Sequence, residues 1–140
     1  MKESETSTIE NAMNYIDYIE GEIWKVIPGY SQYLVSNYGR MFGFSFKAVK
    51  NVNENKGKKY LATRLYDDNG VLSNSIYIHR IVAEVFCLNP DPEHKTEVHH
   101  KDCNSLNNIA DNLEWLTPRE HREKHKQIKA KKKELTGNEA

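Results

Sequence analysis

The stretch that most constrains how this chain can fold runs from Val98 to Lys126, VHHKDCNSLNNIADNLEWLTPREHREKHK. Thr117 can cap a helix, Pro118 fits its first position, and Glu120 sits three residues past the cap, as a capping box requires. A helix that begins there carries His121 and His125 one turn apart on a single face. Leu113 to Leu116 reads as a strand feeding that helix, and Val98 to Lys101 as a strand entering an Asn-rich turn. The unit is therefore strand, loop, strand, helix, with histidines on its first strand and on its helix. Imidazoles that meet across such a unit suggest a divalent metal site.

By themselves these histidines would not decide a function. Adjacent histidines such as His99 and His100 are more often structural than catalytic, and His121 and His125 sit among Arg119, Arg122, Lys124 and Lys126 as on a solvated helix face. Asn107 and Asn108 are most simply turn formers, and Trp115 is a core residue. The order of the whole set carries more weight. From Ile78 to about Lys126, the succession IHRIVAEVF, HHKD, NN, DNLEWLTP and the histidine helix resembles the HNH, or ββα-metal, nuclease motif of phage and intron-encoded homing-type endonucleases.

The resemblance implies roles. His100 would be the general base that activates a water, and His99 stands where the family uses Asp, Asn or His toward the metal. Asn112 would be the central asparagine that holds the base in its productive tautomer. His121 matches the third motif position as a metal ligand, and His125 would be an additional ligand found in some branches. The implied cofactor is one divalent ion, Mg2+ or Mn2+, with Zn2+ or Ni2+ as alternatives. The implied reaction is phosphodiester hydrolysis of DNA, leaving 5′ phosphate and 3′ hydroxyl ends. One such site attacks one strand at a time, so a monomer should nick. The family usually carries Gly where this chain has Cys103. If that turn needs positive φ, a non-Gly residue costs roughly 1–2 kcal/mol unless Asn104 takes the conformation instead.

A second resemblance covers Glu22 to Ser45, EIWKVIPGYSQYLVSNYGRMFGFS, which is similar to the NUMOD-type DNA-binding segment fused upstream of HNH cores. Pro28-Gly29 reads as a turn, Tyr33 to Ser36 as a strand, and Asn37 to Gly39 as a turn into a strand at Arg40 to Phe44. Trp24, Tyr30 and Phe42 suit the core of a small module. The segment YLATRLY alternates, with Leu61, Thr63 and Leu65 on one side, and Asp67 to Gly70 signals a hairpin returning through Ser75 to Ile78. That hairpin could lie against a DNA groove or serve as scaffold. His79 and Arg80 match the family's HR pair, with a structural hydrogen bond the simpler reading of His79.

Charge is balanced, 20 basic against 20 acidic residues, yet it is segregated. Residues 1–22 hold one Lys against six acids, whereas 23–133 hold 19 basic and 12 acidic residues, as a nucleic-acid binder should. The run at Lys129 to Lys133 could grip a phosphate backbone. The candidate DNA contacts are Arg40, Lys58, Lys59, Arg64, Arg80, Arg119 and Lys129. Cys87 and Cys103 are too few for a disulfide scaffold and no long apolar run offers a membrane span, which places the protein in a reducing cytoplasm, the host's if phage-encoded.

The expectation is an α+β protein, a small β-rich N-terminal module followed by a ββα-metal (His-Me finger) nuclease core. Its parts would be an acidic segment at 1–22, read as a frayed helix or tail, a NUMOD-type module at 23–78, the core at 79–126 and a basic tail at 127–140. The expected partner is double-stranded DNA, with no membrane, and a homodimer is left open. The competing readings are a DNA-binding protein on the same fold that lost catalysis and a structural interaction protein; plasmid nicking and salt-sensitive affinity separate them.

Overall fold

The structure, a computed structural model, describes residues 9–50 and 60–137. Four antiparallel strands, β1 (Trp24–Ile27), β2 (Tyr30–Ser36), β3 (Met41–Gly43) and β4 (Ala48–Lys50), form a sheet in sequence order. Successive side chains on a strand point to opposite faces, so Tyr33, Val35 and Met41 supply one apolar face and Leu34 and Phe42 the other. The same alternation puts Trp24 and Val26 on the second face and Ile27 on the first.

The second face is closed by the acidic N-terminal segment. Residues 9–12 are helical and run into a 3-10 turn at Met13–Tyr15. Ala12 and Ile16 are buried against Trp24, Leu34 and Phe42. The frayed-tail reading is thereby corrected for residues 9–22, because the sheet offers an apolar face that needs covering. Met13 and Ile19 stay exposed, so the loose apolar spacing overstates the contact. Residues 1–8 lie outside the described residues.

The first face packs on the rest of the protein. A short pair, β5 (Ala62–Thr63) and β6 (Ile76–Tyr77), leads into helix α1 (Ile78–Phe86). Leu61, Thr63 and Leu65 are buried as their alternation requires, and a single bridge between Tyr66 and Leu72 extends the pairing toward the Asp67 turn. On α1, Ile78, Ile81 and Val82 recur at helical spacing and sink into the core with Ala83.

Helix α1 joins the halves. Ile27, Tyr33, Val35 and Met41 of the sheet share one apolar cluster with Ile78, Ile81 and Val82, and with Val98, Leu113 and Trp115 of the following hairpin. That hairpin is β7 (Glu97–His100) against β8 (Leu113–Leu116), in the register Glu97 to Leu116 through His100 to Leu113. Trp115 Nε1 donates to the carbonyls of Ala83 and Cys87, satisfying acceptors at the end of α1. Helix α2 (Pro118–Gly137) then begins on the expected capping box: Glu120 N–H donates to Thr117 Oγ1, and Thr117 N–H to Glu120 Oε1, both at 3.0 Å.

Candidate active site

Strand β7 separates the two adjacent histidines. His99 turns toward α2, with ring centroids 5.2 Å from His121 and 5.4 Å from His125. His100, the next residue, turns the other way and meets His79 of α1 at 4.9 Å.

On the α2 side three ring nitrogens converge, one each from His99, His121 and His125, all within 4.8 Å of one another. Two nitrogens bound to one ion at about 2.0–2.1 Å stand about 2.9–3.4 Å apart. His121 Nε2 and His125 Nε2 are 3.0 Å apart, a spacing that one ion can bridge. Glu97 Oε1 lies 2.9 Å from His121 Nδ1. A proton on Nδ1 donated to that carboxylate leaves the Nε2 lone pair facing the cluster, the usual second partner of a metal-binding imidazole. Burial depresses the pKa of His99, with His121 adding to it and Glu114 opposing, which keeps the ring in its neutral, ligating form. The donor set fits a divalent ion, with Zn2+ and Ni2+ better matched than Mg2+ to three nitrogens.

On the α1 side His100 is 6% exposed and its Nε2 is 2.9 Å from Asn108 Oδ1. A carboxamide oxygen only accepts, so Nε2 carries the proton and Nδ1 is left as the basic nitrogen. Tyr60 stacks on the same ring, with centroids 6.0 Å apart and planes at 24°. His79 is wedged between His100, Tyr60 and Tyr77. Burial pushes the His79 pKa down to about 4, with His100 next among the causes, so this ring is neutral at pH 7. Its Nδ1 is buried without a partner among the described residues.

The loop between the strands hangs on Asp102. Its carboxylate accepts from Asn104 N–H, Asn107 Nδ2 and Asn112 Nδ2, and the Asn107 bond does most to lower its pKa. Asn112 also accepts from Asp102 N–H and donates to the Asn107 carbonyl. The expected role of Asn112 is therefore corrected: both ends of its amide clamp the loop, and the amide on His100 is that of Asn108. Cys103 itself takes the left-handed conformation, φ 62°, so Asn104 does not relieve it.

These arrangements can be set beside known proteins. Residues 22–72 match the NUMOD4 motif. The chain is 39% identical over 102 residues to the H-N-H endonuclease F-TflII of Escherichia phage T5, covering 72% of this chain and 51% of that protein. It is 36% identical over 106 residues to an uncharacterized HNH endonuclease of Acanthamoeba polyphaga mimivirus, covering 73% and 25% respectively. The solved structure of the HNH homing endonuclease I-HmuI superimposes with a TM-score of 0.58 at 28% identity, over 82% of this chain and 59% of that one. Over most of its length the chain is similar in sequence and fold to HNH endonucleases. It spans between a quarter and about half of these two relatives' length. The α+β architecture, with an N-terminal sheet and a C-terminal helix, is the I-HmuI fold.

Within this chain the expected DNA contacts divide. Arg40 is tied to the Glu22 carboxylate, with Nε to Oε2 at 2.8 Å, and to the Asp17 carbonyl, and it lies over Trp24. Burial would raise the pKa of Glu22, but the bonds from Arg40 and Ser36 outweigh it and the net shift is down. Arg40 thus holds the acidic segment, which corrects its reading as a free contact. Arg64 closes the hairpin on the Ser73 carbonyl, and Arg80 reaches the Thr96 carbonyl and Glu84. Arg119 and Lys129 are exposed on α2, and Lys58 and Lys59 lie outside the described residues. No helix among the described residues is long and apolar enough to cross a membrane.

Sequence reasoning missed Glu97 and Asn108. Glu97 had a signal, since it lies two positions before His99 and so shares its face. Asn108 had none, because four asparagines compete between 104 and 112 and the loop's path decides which reaches His100.

Proposed function

We propose that this protein is a metal-dependent DNA endonuclease that nicks one strand of a duplex. The reading is carried by the split at β7, where three ligating imidazoles lie on one side and one imidazole of defined tautomer on the other. The names of its HNH relatives, among them phage endonucleases, support the same substrate.

His99, His121 and His125 would hold the ion, and Glu97 would fix the tautomer of His121. A divalent ion bound there supplies positive charge beside the phosphate and the leaving oxygen. His100 Nδ1 takes a proton from water as the water oxygen bonds to phosphorus. The bond from phosphorus to the 3′ oxygen breaks, that oxygen is protonated from solvent, and a 5′ phosphate and a 3′ hydroxyl result. Asn108 keeps His100 Nε2 protonated throughout. The duplex is gripped by the exposed basic face of α2, through Arg119, Arg122, Lys126 and Lys129, so affinity falls steeply with salt.

The test is nicking of supercoiled plasmid with Zn2+, Ni2+, Mn2+ or Mg2+ supplied singly. Removing a general base costs on the order of 10²–10⁴-fold, so His100→Ala loses about that much nicking while duplex affinity is retained. A wild-type protein that binds DNA but nicks with none of the four ions would be the inactive binder instead.

A further inference from the structure

The base is held by Asn108, and the shape of the chain behind Asn108 shows what holds it in turn. Asn108 is 5% exposed, and its Nδ2 has no partner among the described residues. Among those residues its amide is tied by the bond to His100, so packing has to fix where that amide stands. The packing comes from the other end of the chain. Gly39, in the turn between β2 and β3, runs at φ +83°, and a Cβ built on it would stand 3.0 Å from both Asn108 Cβ and Asn108 O. Beside it, the Asn37 carbonyl accepts the Ala110 N–H at 2.7 Å, pinning the same loop two residues further on.

We propose that the Asn37–Gly39 turn of the N-terminal sheet positions the base, by backing Asn108 so that its amide oxygen meets His100 Nε2. Gly39 and Asn37 touch no substrate here; they act through Asn108 and are positioning residues. The module that matches the NUMOD4 motif thereby contributes to the chemical step as well as to the fold. The inference rests on His100 being the general base.

Gly29 provides an internal control. It lies in the turn between β1 and β2 of the same sheet at φ +80°, and a Cβ there meets nothing within 4 Å among the described residues. Gly29→Ala and Gly39→Ala therefore impose the same backbone strain, and the second alone presses on Asn108. Single-turnover nicking at saturating plasmid, with the divalent ion that serves the wild type best, should fall about 10- to 100-fold in Gly39→Ala, with KM for DNA changed less than about twofold. Gly29→Ala should keep its rate within about twofold, although both variants lower the unfolding midpoint. In Asn108→Ala the further change Gly39→Ala should cost nothing more, because both act through one contact. Nitrogen NMR of the metal-free protein reads the same contact without turnover: His100 should lose its single Nε2–H tautomer in Gly39→Ala and keep it in Gly29→Ala. Equal rates in the two glycine variants, additive losses with Asn108→Ala, or an unchanged His100 tautomer would overturn the proposal. A wild-type protein that does not nick would instead remove the function on which it rests.

Discussion

The two sides of β7 carry neighbouring histidines in opposite surroundings. On the α2 side the cluster grades from buried His99 to exposed His125, and the nearest partners include Glu97, Glu114 and Lys124. On the α1 side His100 sits among rings and a buried amide at the edge of the main core. The α2 side needs only small side-chain shifts to take an ion, because its three nitrogens already lie within 4.8 Å of one another. The α1 side fixes a tautomer, which solvent would otherwise leave mixed. The two rings are thus set by different partners, His99 by neighbouring imidazoles and His100 by a buried amide.

The largest test of that contrast is acid. Both folded and unfolded chains hold His79 neutral at pH 7. As pH falls through about 6.5 the unfolded chain takes a proton that the buried ring refuses until about 4, so stability declines over that window by about 3 kcal/mol. Denaturant unfolding at several pH values should show this slope in the wild type and a shallower one in His79→Phe, which keeps a ring against His100 and leaves the contribution of His99. An unchanged slope in the variant would mean that the α1 side is wetter than its burial indicates.

The next test concerns the α2 side. Glu97→Gln removes the charge behind His121 and should weaken Ni2+ binding, measured by calorimetry, about 10- to 100-fold. The tautomer of His100 should not change, since Glu97 and His100 leave opposite faces of the strand. A shift in both readouts would erase the distinction between the sides.

The smallest effect lies between them, in the loop. Cys103→Gly relieves a left-handed backbone while loosening the unfolded chain, so it should stabilise by about 0.5–1 kcal/mol and leave metal binding alone. Thermal unfolding with and without Ni2+ checks both parts.

Local chemistry made much of this legible in the sequence. The capping box placed the start of α2, and helical spacing then put His121 and His125 on one face; both follow from neighbours in the chain. Alternation likewise gave the buried row of Leu61, Thr63 and Leu65. What the sequence hid depended on distant pieces meeting. Arg40 looked like a free cation because Glu22, which neutralises it, lies 18 residues away. The acidic segment looked solvated because its apolar residues are few, yet the sheet's second face needed Ala12 and Ile16. Asn108 was one amide among four until the loop's hub at Asp102 engaged Asn104, Asn107 and Asn112.

The cluster that links Ile27, Tyr33, Val35 and Met41 to Val98, Leu113 and Trp115 has an evolutionary corollary. A gene fragment spanning residues 79–126 alone would arrive in a new host protein with a greasy wound where the sheet had been. Recombination that preserves activity should therefore cut outside the pair, and the two parts should travel between genomes as one cassette.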